Sequence, residues 1–210
     1  MQFKQINPND LSPPDMHKLL IGSVVPRPIA WVSSMDRAGV YNLAPFSFFN
    51  VVCAKPPTIS ISITYHSQRD AGRKDTLRNI VELGEFVVNI TTEATAVAMD
   101  QSAAEYPPHV DEFAEIGLTR APSVRVRPAR VAESPISLEC TLLQTVPVGT
   151  GAGSATLVLG TVQLVHVRED IIDDRYRIDI HALQPIGRLA GLSYCYVREL
   201  FDLKRTPYQP

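Results

Sequence analysis

Proline limits this chain more than any other residue: seventeen are spread over 210 positions. Proline has a fixed φ and no N–H, so it ends helices and is kept out of the middle of paired strands. Few long helical patterns survive between the prolines, and several intervening stretches alternate apolar and polar residues as strands do. Residues 56–65 (PPTISISITY) alternate most clearly, and 85–91 (EFVVNIT) form a second strand. Further strands are expected at 124–131, 135–146, 156–168 and 176–183, with VGTGAG (148–153) turning a hairpin between two of them. In the first half, 24–33 (VVPRPIAWVS) alternates but carries two prolines, which predicts an edge or a bulge. MDRAGV (35–40) is a turn, and 41–52 is an apolar run broken by Pro45.

The predicted helices are short. Residues 8–20 form an amphipathic lead-in that carries Met16, Leu19 and Leu20 inward. Residues 76–84 place Leu77, Ile80, Val81 and Leu83 on a helix stopped by Gly84. Residues 93–105 form another, ahead of Pro107 and Pro108. Five to seven strands with short helices between them indicate a mainly β fold, a barrel with helical insertions. No repeat or low-complexity linker divides residues 1–210, which read as a single domain.

A net charge of −2 without a basic run argues against a nucleic-acid partner. No apolar stretch approaches the roughly 20 residues of a membrane span. The polar start MQFKQINPND lacks a signal-peptide core, so the cytoplasm is the expected compartment. Cys53, Cys140 and Cys195 form no CxxC pair and read as reduced thiols. The five histidines are scattered without metal-ligand spacing, so no metal is expected.

No GxSxG, HExxH, Walker or GxGxxG motif is present, and GTGAG (149–153) is flanked by strands rather than opening a helix. The polar residues of the first third stand out instead. Arg27 lies between two prolines in an apolar strand, Ser33 and Ser34 follow it, and Asn42 and Ser47 interrupt another apolar run. Buried polar groups need partners, so these belong to a ligand site or to a shared network. Ser67, Arg69, Arg73, Lys74 and Thr76 then lead into a helix start. Cations, hydroxyls and free N–H groups there suit a phosphate. The bland alternative is a solvated loop with Asp75 as N-cap. Phe46, Phe48 and Phe49 fit either core packing or stacking on a ring.

PRPIAWVSSMDRAGVYNLAPFSFFN (26–50), KPPTISISI (55–63), KDTLRNI (74–80), GEFVVNI (84–90), ESPISLEC (133–140), LVLGTVQLVHV (157–167) and PIGRLAGLSYC (185–195) together resemble the flavin reductase-like family of FMN-binding split barrels. The flavoredoxin-like members look most similar. The resemblance covers nearly the whole chain. It implies a six-stranded Greek-key split barrel and a homodimer with one FMN per subunit near the interface. It places Asn42, Ala44, Pro45, Phe46 and Ser47 along the flavin ring, with Arg27, Ser33 and Ser34 contributed by the preceding strand. Lys74 and Thr76, with Ser67, fall at the phosphate.

The implied activity is that of an FMN-dependent oxidoreductase, with NAD(P)H as a possible co-substrate and a flavin, ferric chelate or protein as electron acceptor. A non-catalytic electron carrier is the alternative. RIDIHALQP (177–185) lacks the Gly-Asp-His stretch that many flavin reductases carry near the nicotinamide site, which leaves the donor open. His181 and Tyr194 are the candidates for lining a donor site.

Overall fold

A computed structural model describes residues 1–69, 72–204 and 206. Asp70 and Ala71, inside the predicted loop 66–75, lie outside the described residues. Helix α1 (Pro13–Ser23) starts where Ser12 accepts the Asp15 N–H and where two prolines occupy the first turn. Their missing N–H groups cost little at a helix start. None of its residues is buried. The expected inward packing of Met16, Leu19 and Leu20 therefore does not occur, and Leu20 is half exposed.

Four strands follow: β1 (Ala30–Met35), β2 (Tyr41–Phe46), β3 (Phe49–Ala54) and β4 (Pro57–Thr64). Helix α2 (Asp75–Leu83), stopped by Gly84 in the left-handed region, leads into β5 (Glu85–Ile90). Short helices α3 (Ala96–Gln101) and α4 (Glu112–Glu115) precede a two-stranded ribbon of β6 (Arg120–Ala121) and β7 (Arg130–Val131). Two long strands, β8 (Ile136–Val148) and β9 (Ala155–Val167), make a hairpin. Helix α5 (Ile180–Leu183) and the ribbon of β10 (Ile186–Arg188) and β11 (Tyr194–Tyr196) complete the order.

The main sheet runs β2-β1-β5-β8-β9-β4-β3, with every neighbouring pair antiparallel. Its two edge strands, β2 and β3, are joined by Ser47 and Phe48 alone. A sheet whose edges are so tethered must curl until they meet, which gives the split barrel. The predicted run 41–52 is thus one strand bent at Ser47, and counting it once reconciles seven strands with the six expected.

Three strand expectations change. The 24–33 strand begins only at Ala30, and Arg27 makes an isolated bridge to Arg188. Of 124–131 only the last two residues are a strand, because the amides of Val124, Arg125 and Val126 donate to the buried carboxylate of Glu139. The 176–183 strand is replaced by α5, which Asp179 caps. The helix expected over 93–105 ends at Gln101.

Alternation along β1 and β2 divides the interior in two. Ala30, Val32, Ala44 and Phe46 face the barrel, where they meet Ile61, Phe86 and the Leu77–Ile80 face of α2. Trp31 and Leu43 face outward into a second core with Met99, Phe113 and Val131. Trp31 is fully buried and its indole donates to Ser102 at 2.8 Å, tying the chain after α3 to the sheet. Gly160 on β9 is held by packing: a Cβ there would stand 2.4 Å from the Phe86 ring. Among the described residues no helix is long and apolar enough to cross a membrane.

Candidate functional site

Asn42, Ala44 and Phe46 on the barrel face of β2, with Pro45 between them on the other side, line the floor of a cleft of about 160 Å³. The start of α2 supplies Lys74, Asp75 and Thr76. The loop before α2 adds His66 and Arg69, and residues 102–106, held by the Trp31–Ser102 bond, form the opposite wall. Two contacts link these walls: His66 Nε2 meets Glu105 at 2.8 Å, and the Arg69 guanidinium donates to the Tyr106 carbonyl.

Helix α2 is fixed against β1 and β2 by two buried polar bonds. Asn42 donates to Thr76 Oγ1 at 3.0 Å, and Asn79 donates to Ser34 Oγ at 3.2 Å. Lys74 is its N-cap and makes no side-chain capping bond. Asp75 is not the N-cap; it pairs with Arg78 at 2.6 Å and Arg69 at 3.4 Å. The Lys74 ammonium stands 5.8 Å from the centre of the Phe46 ring. Burial draws its pKa below the ordinary value, with Glu105 opposing and Arg69 reinforcing the shift. The Nδ1 of His66 is buried without a partner. An uncapped helix start, a partly desolvated ammonium and an orphaned ring nitrogen are met together by an anionic ligand rich in oxygen. The site therefore suits a phosphate group.

Two further clefts adjoin this one, and Pro45 lines all three. One is bordered by Arg27, Phe46, Ser47 and Lys74, and the other by Ser47, Asp100, Arg188 and Tyr194. Sharing Pro45, the three make a trough along β2 whose lining is both apolar and polar.

Of the residues singled out in the sequence, Asn42, Ala44, Pro45, Phe46, Lys74 and Thr76 come together in the main cleft, with Ser47 just beyond it. Arg27 reaches the trough, but four of its five N–H groups are committed. They go to Ser47 and to the carbonyls of Ile21, Val24 and Leu189, so it mainly ties α1 and the C-terminal ribbon to the barrel. Ser33 and Ser34 lie outside the cleft: both are fully buried, Ser33 donating to the Ala129 carbonyl and Ser34 accepting from Asn79. Ser67 is exposed and lines none of the three clefts. Tyr194 is in the trough, its hydroxyl bonded to Asp100 at 3.1 Å and its ring 4.3 Å from the Arg188 guanidinium. His181 is not; it borders a separate recess with Glu93 and Arg198.

Sequence reasoning missed Glu112. Only 8 % exposed, it lines the main cleft and accepts the Leu43 N–H at 3.0 Å. Burial chiefly, with the charges of Asp75 and Asp111, pushes its carboxyl up to about 7 against its bonds to the Leu43 and Glu112 amides. Nothing in DEFAEI marks this residue, because its environment is supplied by β2 and α2.

A profile of the flavin reductase like domain matches residues 21–182. The crystal structure of nitrilotriacetate monooxygenase component B from Bacillus cereus superposes with a TM-score of 0.90 at 41 % identity, covering 97 % of this chain and 100 % of that one. The 2-nitrobenzoate 2-nitroreductase of Pseudomonas fluorescens gives 0.87 at 31 % identity, covering 99 % and 98 %. Flavoredoxin of Desulfovibrio vulgaris (Miyazaki F) gives 0.71 at 26 % identity, covering 86 % and 91 %.

Proposed function

The chain belongs to the flavin reductase-like domain family, and we propose that it is an FMN-dependent oxidoreductase with its cofactor in the cleft between β2 and the start of α2. The observation that carries this reading is the uncapped start of α2, with Lys74 beside it and the Pro45 trough leading away from it. Lys74 and the first amides of α2 would hold the phosphate, with the Thr76 hydroxyl close by. Ala44, Pro45, Phe46 and Ser47 would flank the ring. Bound FMN supplies hydride acceptance and onward electron transfer, chemistry that no side chain here provides. The protein's part is to orient the ring, keep water from its barrel-facing side and present donors where negative charge accumulates.

Reduction by NAD(P)H, with a flavin, ferric chelate or protein as acceptor, is the proposed turnover. Tyr194 borders the open end of the trough, and burial foremost raises its pKa, so its hydroxyl remains a hydrogen-bond donor at neutral pH. An electron carrier reduced by another protein is the second reading. The distance of His181 from the trough and the missing Gly-Asp-His stretch favour it.

A homodimer is part of the proposal. Helix α1 buries nothing, and Leu20, Val24, Val25, Val51 and Val52 are exposed, an apolar surface that a second copy would cover. Sedimentation of the purified chain tests this, and a monomer at micromolar concentration would remove it.

Titration with FMN and riboflavin tests the cofactor reading. FMN binds the wild-type chain, and Lys74→Ala weakens FMN by about tenfold or more, as loss of a charge-assisted bond predicts, while riboflavin changes little. No binding of either flavin overturns the assignment. Anaerobic bleaching of the bound flavin by NADH or NADPH then selects the enzyme; its failure with both selects the carrier.

A further inference from the structure

Among the described residues, the carboxyl groups of the main cleft differ in their partners. Asp75 lies between Arg69 and Arg78, and Glu105 meets His66. Glu112 has no cation; its one bond from another residue is the Leu43 N–H. It also has no freedom to withdraw. Asp111 caps α4 by accepting the Phe113 N–H at 3.0 Å, and Arg120 holds Asp111 at 3.3 Å. Phe113 is fully buried, 6.0 Å from the Tyr41 ring.

Resting on the flavin reading above, we propose that Glu112 takes up one proton from solvent when an anionic flavin enters the cleft, so that a neutral carboxyl, not a carboxylate, faces the ligand.

The groups around it support this. The cleft it lines also holds Asp75 and Lys74 from α2, His66 and Arg69 from the preceding loop, and Glu105 and Tyr106. Asp111 precedes it on α4, and Arg120 of β6 is engaged with that Asp111. Arg69 is committed to Asp75 and the Tyr106 carbonyl. Neither guanidinium is left to stabilise a Glu112 anion, while Asp75 and Asp111 oppose one. The unliganded carboxyl already sits near 7. A phosphate brings about 1.5 to 2 negative charges at pH 7 and raises the cost of a second anion in the same cleft. Binding and protonation then favour each other, and linkage makes FMN affinity fall as pH rises above about 7.

The test uses the intact chain. Calorimetric titration with FMN at pH 7.5, in two buffers of different ionisation heat, reads the protons taken up; a substantial fraction of one proton per flavin is expected. Fluorescence titrations from pH 7 to 9, above the second phosphate ionisation near 6, then compare wild type with Glu112→Gln, which keeps an acceptor for Leu43. Wild-type affinity falls with pH, at a slope limited to about tenfold per unit for one proton, and the glutamine variant loses most of that slope. FMN binding without proton uptake, or with equal slopes in the two proteins, overturns the inference and leaves the flavin site standing. If the wild type binds no FMN at any pH, the flavin reading itself fails. Should Glu112→Gln not fold, FMN binding to the wild type without proton uptake still overturns the inference.

Discussion

Glu112 and Glu139 are both buried carboxyls, and the fold treats them in opposite ways. Glu139, fully enclosed on β8, accepts the amides of Val124, Arg125 and Val126 and the ring of His166. Burial works to raise its pKa, but the Val124 amide, His166 and the Arg125 amide outweigh it, and the carboxylate lies below its usual range. Among the described residues Glu112 receives a single amide from another element and no ion-paired cation, and its pKa is pushed up to about 7. The comparison teaches that the count of donors, more than depth, decides whether a buried acid stays charged. Glu139 is a structural pin that folds loop 124–126 onto the barrel. Glu112 is left short of donors where the cleft opens.

The largest expected effect would break this contrast at its structural end. Glu139→Ala takes the shared acceptor from the amides of Val124, Arg125 and Val126 and from His166, and should cost about 3–5 kcal/mol, as removal of one partner from a buried charged cluster typically does. Denaturant unfolding checks it, and a loss below about 1 kcal/mol would deny Glu139 its role as a pin.

The second prediction sharpens the contrast through pH. A carboxyl with a raised folded pKa contributes stability that is present below its unfolded value of 4.5 and lost as pH rises through about 7. Allowing for water in the cleft, about 1–2 kcal/mol should disappear over that window. Glu139 has the opposite sign: its contribution is present above 4.5 and is lost as pH falls below it. Between pH 4.5 and 7 wild-type stability should fall by that amount, and Glu112→Gln should remove the fall while keeping the acid loss below 4.5. A Glu112→Gln variant that alters only the limb below 4.5 would reverse the two assignments.

The smallest effect concerns the donor count itself. His166→Gln retains an N–H donor but removes the imidazole, and should cost about 1 kcal/mol while leaving FMN affinity unchanged. A change in flavin binding would mean that the two carboxyl environments communicate across the sheet.

Much of the architecture was legible before any tertiary contact was known. Alternation marked β4, β5, β8 and β9, and Gly84 marked the end of α2. The cleft-lining run Asn42–Ser47 and the Lys74–Thr76 helix start were also readable, because each is one continuous segment whose polar residues interrupt an apolar pattern. Ser33 and Ser34 carried the same kind of signal and went elsewhere. Consecutive strand residues face opposite sides, and β1 is paired on both edges, so one serine reaches the Ala129 carbonyl and the other reaches α2. The suspected polar cluster is real, but part of it holds α2 in place rather than lining the cleft.

The sequence by itself therefore determined the strands, the turns and the two local segments of the cleft, since these depend on residue spacing and backbone conformation. Tertiary structure alone decided that Ser47 is a bend closing a barrel, that residues 102–106 make a wall, and that Tyr194 rather than His181 borders the trough. It also decided which buried glutamate keeps its charge. A carboxyl's proton depends on the donors and charges within a few ångströms, and for Glu112 and Glu139 the hydrogen-bond donors from other segments lie 13 to 69 residues away in the chain.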